Sequence, residues 1–492
     1  MANNLDLNSL PSLSRRELLE RAGCGAGLLG LAALLGGEGM LSRASAGLAS
    51  SGSALNPLAP KIAHLPAKAK QVIWIFVNGG PSHVDTWDYK PELDKRDGQE
   101  LEGFDKFTGF FAGAVGPLMK SPFKFAQHGQ SGKWVSSIFP EMAKHVDKMA
   151  FIHSAFTESN NHSPALFMMN TGFTQLGYPC AGSWVTYGLG SESQNLPAFV
   201  VMSDSKGRGL PKGYSLNWSA GFLPSVYQGT WLKPKGDPID NLNRPEEMNE
   251  AHQRAQLDLL ARLNQRHQQQ NPAEEELAAR IESFELAYRM QSAAPEALDV
   301  TREPEHIQEL YGLADDRCSH FARQCLIARR MVERGVRFVQ IYSGGMGNQQ
   351  SWDGHNDLVG NHSGFAAETD KPIAGLLEDL EQRGMLAETL VIWGGEFGRL
   401  PVAQNGEKPG RDHNPHAMVF WLAGGGVKGG VSFGATDEIG HKAVENRVTV
   451  NDLHATFLRL MGLDHKRLTF RHNGRDFRLT DVAGNVIKEV LA

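Results

Sequence analysis

The chain has 492 residues, of which 41% are hydrophobic and 21% are charged, and this balance excludes fibrous and intrinsically disordered proteins. The length exceeds that of one average domain, and one large α/β domain with an insertion would account for it. The formal net charge of -6, with acids and bases well mixed, argues against nucleic acid as the main partner, because a phosphate-binding surface usually needs a basic excess.

Residues 1–46 have the composition of an export signal. Ser14 to Leu19 is a twin-arginine pattern, a Gly/Ala/Leu-rich apolar run follows from Ala22 to about Gly37, and Ala44 to Ala46 is an A-x-A cleavage site. The apolar run is too short and too rich in glycine for a membrane span. The sequence therefore predicts a periplasmic or extracellular protein, exported by the twin-arginine pathway, without a stable membrane span after cleavage. The alternative is an uncleaved N-terminal anchor.

The mature chain begins with a predicted linker at 47–70, rich in Ser, Ala, Pro and Gly. Continuous apolar runs, typical of strands that are buried on both faces, then recur along the chain. These runs are Val72–Val77, Met149–His153, Ala198–Met202, Val336–Tyr342, Thr389–Trp393 and Ala417–Ala423. Helical patterns at Cys318–Arg334, Lys371–Arg383 and Val450–Met461 alternate with them. This alternation predicts an α/β domain over 71–492 with a mostly parallel sheet and helices on both faces.

Two further segments depart from the α/β alternation. Residues 243–300 are rich in Gln, Glu, Arg, Ala and Leu, with Pro272 between two helical stretches, which predicts a helical insertion. Leu468 to Val490 contains short alternating segments around Gly474 and Gly484, which predicts a C-terminal β-hairpin.

Polar side chains gather next to the predicted strands, where ligands bind in open parallel sheets. Four loops with Asp, Glu or His follow strands, and a fifth precedes the last one. They carry Asn78, His83, Asp85 and Asp88, then His162 and Ser163, then Asp353 and His355, then Glu396 and Arg399, and finally Arg411, His413 and His416. Carboxylates and imidazoles together are the ligands that zinc and manganese prefer, and arginines can pair with an anionic substrate group. The pattern predicts one clustered polar site that holds a metal.

These motifs resemble an exported family called domain of unknown function 1501, which is placed in the alkaline-phosphatase-like and sulfatase-like superfamily. The resemblance covers nearly all of the mature chain and rests on Gly79–Asp88, Trp352–His355, Gly394–Arg399, Asp412–His416, Asp452–Thr456 and Gly462–Leu463. It implies an alkaline-phosphatase-like core and a site, often with two metals, for phosphate or sulfate esters.

The correspondence with the superfamily is partial when it is carried over residue by residue. The segment that begins at His162 and Ser163 looks like the one that carries the nucleophilic serine, with His162 in place of an Asp. Asn78 stands where the first metal-binding Asp is expected, so either Asp85 substitutes for it or that ligand is missing, and Glu396 stands where Asp-His is usual. The C-x-P-S-R sulfatase motif is absent from the sequence, which argues against a formylglycine mechanism.

The resulting hypothesis is an exported metal-dependent hydrolase of phosphate or sulfate esters, with a small-molecule or polysaccharide substrate. The predicted metal ligands, for zinc, manganese or calcium, are Asp85, Asp353, His355, Glu396, His413 and His416. The predicted catalytic residues are Ser163, which would attack or position a water, and His162; the predicted substrate-binding residues are Asn78, Arg399 and Arg411. The alternative hypothesis is a non-catalytic extracytoplasmic binding or assembly protein that retains the hydrolase fold.

Overall fold

The computed structural model describes residues 56–234, 237–239, 242–245, 247–270 and 275–492. The predicted export signal at 1–46 and the first part of the predicted linker lie outside the described residues. Asn56–Ala492 form one structural unit. None of the helices in the described ranges combines the length and the apolar composition that a membrane crossing needs.

The centre of the fold is a sheet of nine strands within the described residues. The strands are β1 (Gln71–Val77), β2 (Met149–Phe156), β3 (Phe199–Met202), β4 (Thr230–Leu232), β5 (Phe338–Ser343), β6 (Thr389–Gly394), β7 (Met418–Ala423), β8 (Val431–Phe433) and β9 (Val448–Thr449). Their order is β8-β2-β7-β6-β1-β5-β3-β4, and β9 also pairs with β2. Each of the six apolar runs of the sequence coincides with one of these strands to within three residues at either end.

The sheet is parallel except for one strand. β1 pairs in parallel with both β5 and β6, whereas β7 runs antiparallel to its neighbours β6 and β2. In register, Val77 lies opposite Ser343, and Phe76 lies opposite Gly394. The three central strands therefore end at nearly the same level, and the loops that follow them start side by side.

Helices cover both faces of the sheet, as the sequence predicts. They are the short helices His83–Thr86 and Pro91–Lys95, followed by α1 (His162–Thr171), α2 (Ala181–Leu189), α3 (Glu250–Gln270), α4 (Glu275–Leu298), α5 (Glu305–Tyr311), α6 (Ser319–Glu333), α7 (Leu358–Gln382) and α8 (Val450–Leu460). Alternate residues of β1 enter two separate cores, because successive side chains of a strand point to opposite faces. Ile73 and Ile75 pack with residues of α6 and α7, whereas Trp74 and Phe76 pack with residues of α1, α2 and α8.

The peripheral segments complete the unit. Helices α3 and α4 form the predicted helical insertion, and a C-terminal hairpin pairs Phe470–His472 with Arg475–Phe477. Other small antiparallel pairs are Val115–Leu118 with Val402–Gln404, Phe125–His128 with Lys133–Ser136, Gly398–Arg399 with His413–Asn414, and Ala435–Thr436 with Ala443–Glu445.

Residues 56–70, which the sequence assigns to the linker, lie against the domain. Leu58 is buried in one of the two cores, and the backbone N–H groups of Lys61 and Leu65 donate to the carbonyls of Leu189 and Gly462. This part of the predicted linker is therefore an ordered segment of the domain surface.

Candidate metal centre

Four side chains with metal-ligand chemistry meet at the carboxyl edge of the sheet: His162, Asp353, His355 and His413. Asp353 and His355 lie in the loop after β5, and His162 is the first residue of α1, which follows β2. His413 precedes β7, and because β7 is antiparallel, the start of this strand lies at the same edge as the ends of its parallel neighbours. The one reversed strand thus brings a fourth ligand-type side chain to the others.

The ligand atoms of these four residues, the metal cluster, all lie within 4.8 Å of one another. His355 Nε2 is 2.9 Å from His413 Nε2 and 2.9 Å from Asp353 Oδ1. His413 Nε2 is 3.2 Å from Asp353 Oδ1, and His162 Nε2 is 3.1 Å from Asp353 Oδ2. The four residues are only 1–5% exposed, so the cluster is shielded from solvent.

Each histidine of the metal cluster is oriented by a hydrogen bond from its Nδ1, the ring nitrogen that faces away from the other ligands. His162 Nδ1 donates to Glu396 Oε1 at 2.7 Å, and His355 Nδ1 donates to Gln404 Oε1 at 2.6 Å. His413 Nδ1 donates to the carbonyl of Asn160 at 2.6 Å. A carboxylate, an amide or a backbone carbonyl behind the ring is the usual partner of a metal-binding histidine, because it fixes the tautomer and the orientation of the ring.

These contacts fit a divalent cation. A neutral imidazole carries one N–H, so a ring that donates through Nδ1 presents a bare lone pair at Nε2. The three Nε2 atoms and the Asp353 carboxylate lie within 4.8 Å of one another, and His162 Nε2 is buried without a hydrogen-bond partner. Tetrahedral ligands about 2.0–2.1 Å from zinc lie about 3.3 Å apart, close to the separations here. Burial holds the pKa of His413 well below its usual range, which favours the bare form of that ring, whereas the Asp353 and Glu396 carboxylates raise the pKa of the buried His162.

Asp353 is fixed by Arg399 and by the glycine turn after β1. Burial alone would raise the pKa of Asp353, but the Arg399 guanidinium, whose Nη2 lies 2.6 Å from Oδ1, holds that pKa well below its usual range. The Arg399 guanidinium also donates to the carbonyls of Gly79 and Gly80. Gly79 has a φ of +107°, and a Cβ there would lie 2.6 Å from the backbone nitrogen of Asp353, so only glycine fits.

Glu396 and Asn78 lie beside the metal cluster without being members of it. Glu396 is fully buried behind His162, and its carboxylate also accepts from the backbone N–H of Gly79 at 2.9 Å. The Asn78 side chain donates to the carbonyl of Gly345, which ties the end of β1 to the loop after β5. Glu396 was predicted as a ligand and Asn78 as a substrate-binding residue, and the structure gives both of them protein partners instead.

Asp85 and Arg411 form an ion pair outside the metal cluster. Both residues are fully buried, and Arg411 Nε lies 2.6 Å from Asp85 Oδ2. The remaining Arg411 N–H groups donate to the carbonyls of Leu400, Pro401 and Met119. The structure therefore gives these two residues different partners from those expected, because Asp85 is paired with Arg411 and the Arg411 guanidinium is occupied by the protein. Arg399, the other predicted anion-binding arginine, is likewise fully buried and bound to Asp353.

Ser163 and His416 also lie outside the metal cluster. The Ser163 backbone N–H donates to Asn161 Oδ1, and no hydrogen bond among the described residues joins its hydroxyl to the four ligands. The half-buried His416 ring faces His441, at 6.2 Å between ring centroids. Of the eleven residues predicted for the site, the structure brings four together, while Glu396 contacts His162 and Arg399 contacts Asp353.

Several residues at the site were missed by reasoning from the sequence. Gln404 and the Asn160 carbonyl orient two of the histidines, and Phe110 and Phe111 lie beside His413 and His355. Asn160 stands two residues before His162, so its nearness could have been foreseen. Gln404 and the two phenylalanines lie in segments without ligand-type motifs, and no pattern in the chain marks them.

The fold and the site define an α/β protein with a buried His/Asp cluster that could hold a metal ion. Residues 69–491 match the model of the family described as protein of unknown function (DUF1501), and the chain belongs to that family. The resemblance stated from the motifs is confirmed by this match. A search of curated proteins found no match.

Among solved structures, the chain is similar in fold to a lipoteichoic acid synthase, a sulfatase and an alkaline phosphatase. The lipoteichoic acid synthase LtaP from Listeria monocytogenes matches with a TM-score of 0.35 and 8% identity, over 89% of this chain and 81% of that one. The PsFucS1 sulfatase from Pseudoalteromonas sp. matches with a TM-score of 0.34 and 12% identity, over 80% of this chain and 68% of that one. Alkaline phosphatase from the Antarctic bacterium TAB5 matches with a TM-score of 0.28 and 10% identity, over 76% of this chain and 97% of that one.

Proposed function

We propose that this protein is a metal-dependent hydrolase of phosphate or sulfate esters, with His162, Asp353, His355 and His413 as its metal ligands. The observation that carries the proposal is the convergence of three Nε2 atoms and one carboxylate, each ring held through Nδ1 by a separate acceptor. Such an arrangement leaves four electron-pair donors facing one another, and a divalent cation would relieve their mutual repulsion.

Zinc is the metal that suits this donor set best. Three imidazole nitrogens and one carboxylate oxygen are ligands that zinc takes in tetrahedral geometry, and manganese accepts similar sets. Calcium, which the sequence left open, prefers six to eight oxygen ligands and is less well matched to three imidazoles. Because the four protein ligands fill the tetrahedral positions, a metal held here would have to take an ester oxygen as a fifth ligand in order to polarise it and favour attack on phosphorus or sulfur.

The surrounding side chains would keep this site rigid and nearly neutral. Arg399 would balance the charge of Asp353, and Glu396 would keep His162 in its ligand tautomer. Ser163, next to His162 at the start of α1, stays the proposed nucleophile, because a hydroxyl at the head of a helix can swing toward a neighbouring site by a change of rotamer. Substrates would be small-molecule or polysaccharide esters outside the cytoplasm. The export signal proposed for residues 1–46 would bring the protein to them.

A second candidate function is a non-catalytic binding or assembly protein that retains this fold. The observation in its favour is the near-complete burial of the four ligands together with the internal pairing of Arg399 and Arg411, which leaves neither arginine for a substrate anion.

Turnover assays distinguish the two functions. The zinc-loaded protein is offered aryl phosphate and aryl sulfate esters, with His413→Ala, Ser163→Ala and His416→Ala as variants. Hydrolysis that is lost in His413→Ala and kept in His416→Ala supports the hydrolase. A protein that binds one metal per chain but hydrolyses neither ester supports the binding protein. Loss of turnover in Ser163→Ala with metal retained would assign the nucleophile.

A further inference from the structure

Two exposed phenylalanines lie next to the buried metal cluster, and a third exposed phenylalanine precedes them in the chain. Phe107, Phe110 and Phe111, which we call the Phe rim, are 71%, 50% and 39% exposed. They fall within five consecutive residues, and Phe110 and Phe111 contact each other edge to face at 5.1 Å between centroids. Single exposed apolar side chains are common, but two that contact each other beside a polar site, with a third close by in the chain, indicate a surface that binds something apolar.

The inner sides of the rim touch the proposed metal ligands. The Phe111 ring meets the ring of His355 edge to face at 4.9 Å, and the Phe110 ring lies 5.7 Å from that of His413. The same two rings are thus in contact with the metal cluster on one side and with solvent on the other. A substrate that reaches the metal cluster from this side has to pass along them.

The backbone of the rim is tied to the residues that hold His413. The Phe111 N–H donates to Asp412 Oδ2 at 2.6 Å, and Asp412 directly precedes His413. The Asn160 side chain donates to the carbonyls of Thr108 and Gly109, while the Asn160 carbonyl accepts from His413 Nδ1. The rim therefore has a fixed position relative to the ligands and is continuous with the site.

We propose that the Phe rim binds an apolar group of the ester substrate, such as an alkyl or aryl chain, while the metal cluster holds the phosphate or sulfate head. This inference rests on the proposed function. A phenylalanine ring has no polar atom, so it gains from covering hydrocarbon and cannot hydrogen-bond sugar hydroxyls. The rim consequently selects amphiphilic esters over plain sugar esters.

Binding of unreactive analogues tests the inference independently of turnover. The zinc-loaded protein is titrated by calorimetry with methylphosphonate and with octylphosphonate, in wild type, in Phe110→Ala/Phe111→Ala and in Phe107→Ala. We expect octylphosphonate to bind wild type about tenfold or more tighter than methylphosphonate. The double variant should lose most of this ratio and keep its affinity for methylphosphonate. The matched control is Phe284→Ala on α4, which is similarly exposed at 45% and should behave as wild type.

The outcomes separate the inference from the proposed function. Equal affinities of the two phosphonates for wild type, or an unchanged ratio in the double variant, would overturn the inference even if esters are hydrolysed. A chain-length preference that depends on the rim, without hydrolysis of any ester by wild type, would keep the rim as a binding site for an apolar group and overturn the hydrolase. Binding of phosphatidylcholine vesicles that disappears in the rim variants, with no chain-length preference, would assign the rim to a membrane surface instead.

Discussion

Glu396 Oε1 accepts a hydrogen bond from His162 Nδ1 at 2.7 Å, so one buried carboxylate sets the orientation of a ring whose other nitrogen faces the metal cluster. Replacing Glu396 by Gln removes the charge and allows the amide to present an N–H to the ring, which disfavours the ligand tautomer. We expect Glu396→Gln to weaken zinc binding about 10–100-fold. Competition with a chromophoric chelator measures the affinity, with the exposed Glu438→Gln as control. An unchanged affinity would mean that Glu396 does not orient His162.

The Asp85–Arg411 pair leads to a prediction about stability. Arg411→Met leaves the Asp85 carboxylate buried without its partner, and we expect the free energy of unfolding to fall by about 3–5 kcal/mol. The double variant Asp85→Leu/Arg411→Met removes both charges and should recover much of that loss. Urea unfolding followed by circular dichroism measures both changes.

Because Asp85 lies outside the metal cluster, Asp85→Asn should also keep the metal content of wild type. A drop in metal content would restore Asp85 to the ligand set.

His454 on α8 leads to a prediction about pH. Its ring is fully buried, its Nε2 donates to the Met169 carbonyl at 2.8 Å, and burial lowers its pKa to about 4. The unfolded chain takes up a proton near pH 6.5 and the folded chain near pH 4, so the stability that the neutral ring provides is present above pH 6.5 and is lost as the pH falls toward 4. Between pH 7 and pH 5 we expect a loss of about 2 kcal/mol from this group.

The matched variant for this prediction is His454→Gln, which retains a donor for the Met169 carbonyl and does not titrate. Urea unfolding at pH 7 and pH 5 is compared for the two proteins. The pH-dependent loss should be smaller in His454→Gln by about the same 2 kcal/mol. Parallel losses in wild type and variant would show that His454 does not carry the effect.

The sheet could be predicted from the sequence because each buried strand is a continuous apolar run. Helix α7 was predicted only from Lys371, whereas it begins at Leu358. Its first half buries polar side chains that bind neighbouring loops: the Asn361 side chain donates to the carbonyl of Ser351, and His362 Nε2 accepts from the Ser82 N–H. These polar positions interrupt the apolar periodicity. The short edge strands β8 and β9 have three and two residues, too few for a pattern.

The location of the site could be predicted, but the role of each residue could not. Asp85 and Asp353 both follow strands at the same edge of the sheet, and only the three-dimensional pairing with Arg411 or with the histidines separates them. His162 was predicted as a catalytic residue because it precedes Ser163, whereas its Nε2 faces the metal cluster. The contribution of His413 depends on the antiparallel direction of β7, and an apolar run does not reveal the direction of a strand.

The metal content of the purified, exported protein tests the central claim most directly. Elemental analysis after dialysis should find one zinc or manganese ion per chain in wild type and in His416→Ala, and far less than one in His413→Ala and His355→Ala, with circular dichroism showing that each variant is folded. Wild-type protein that holds no metal even after reconstitution, or folded His413→Ala and His355→Ala variants that retain one ion per chain, would contradict the assignment of these ligands.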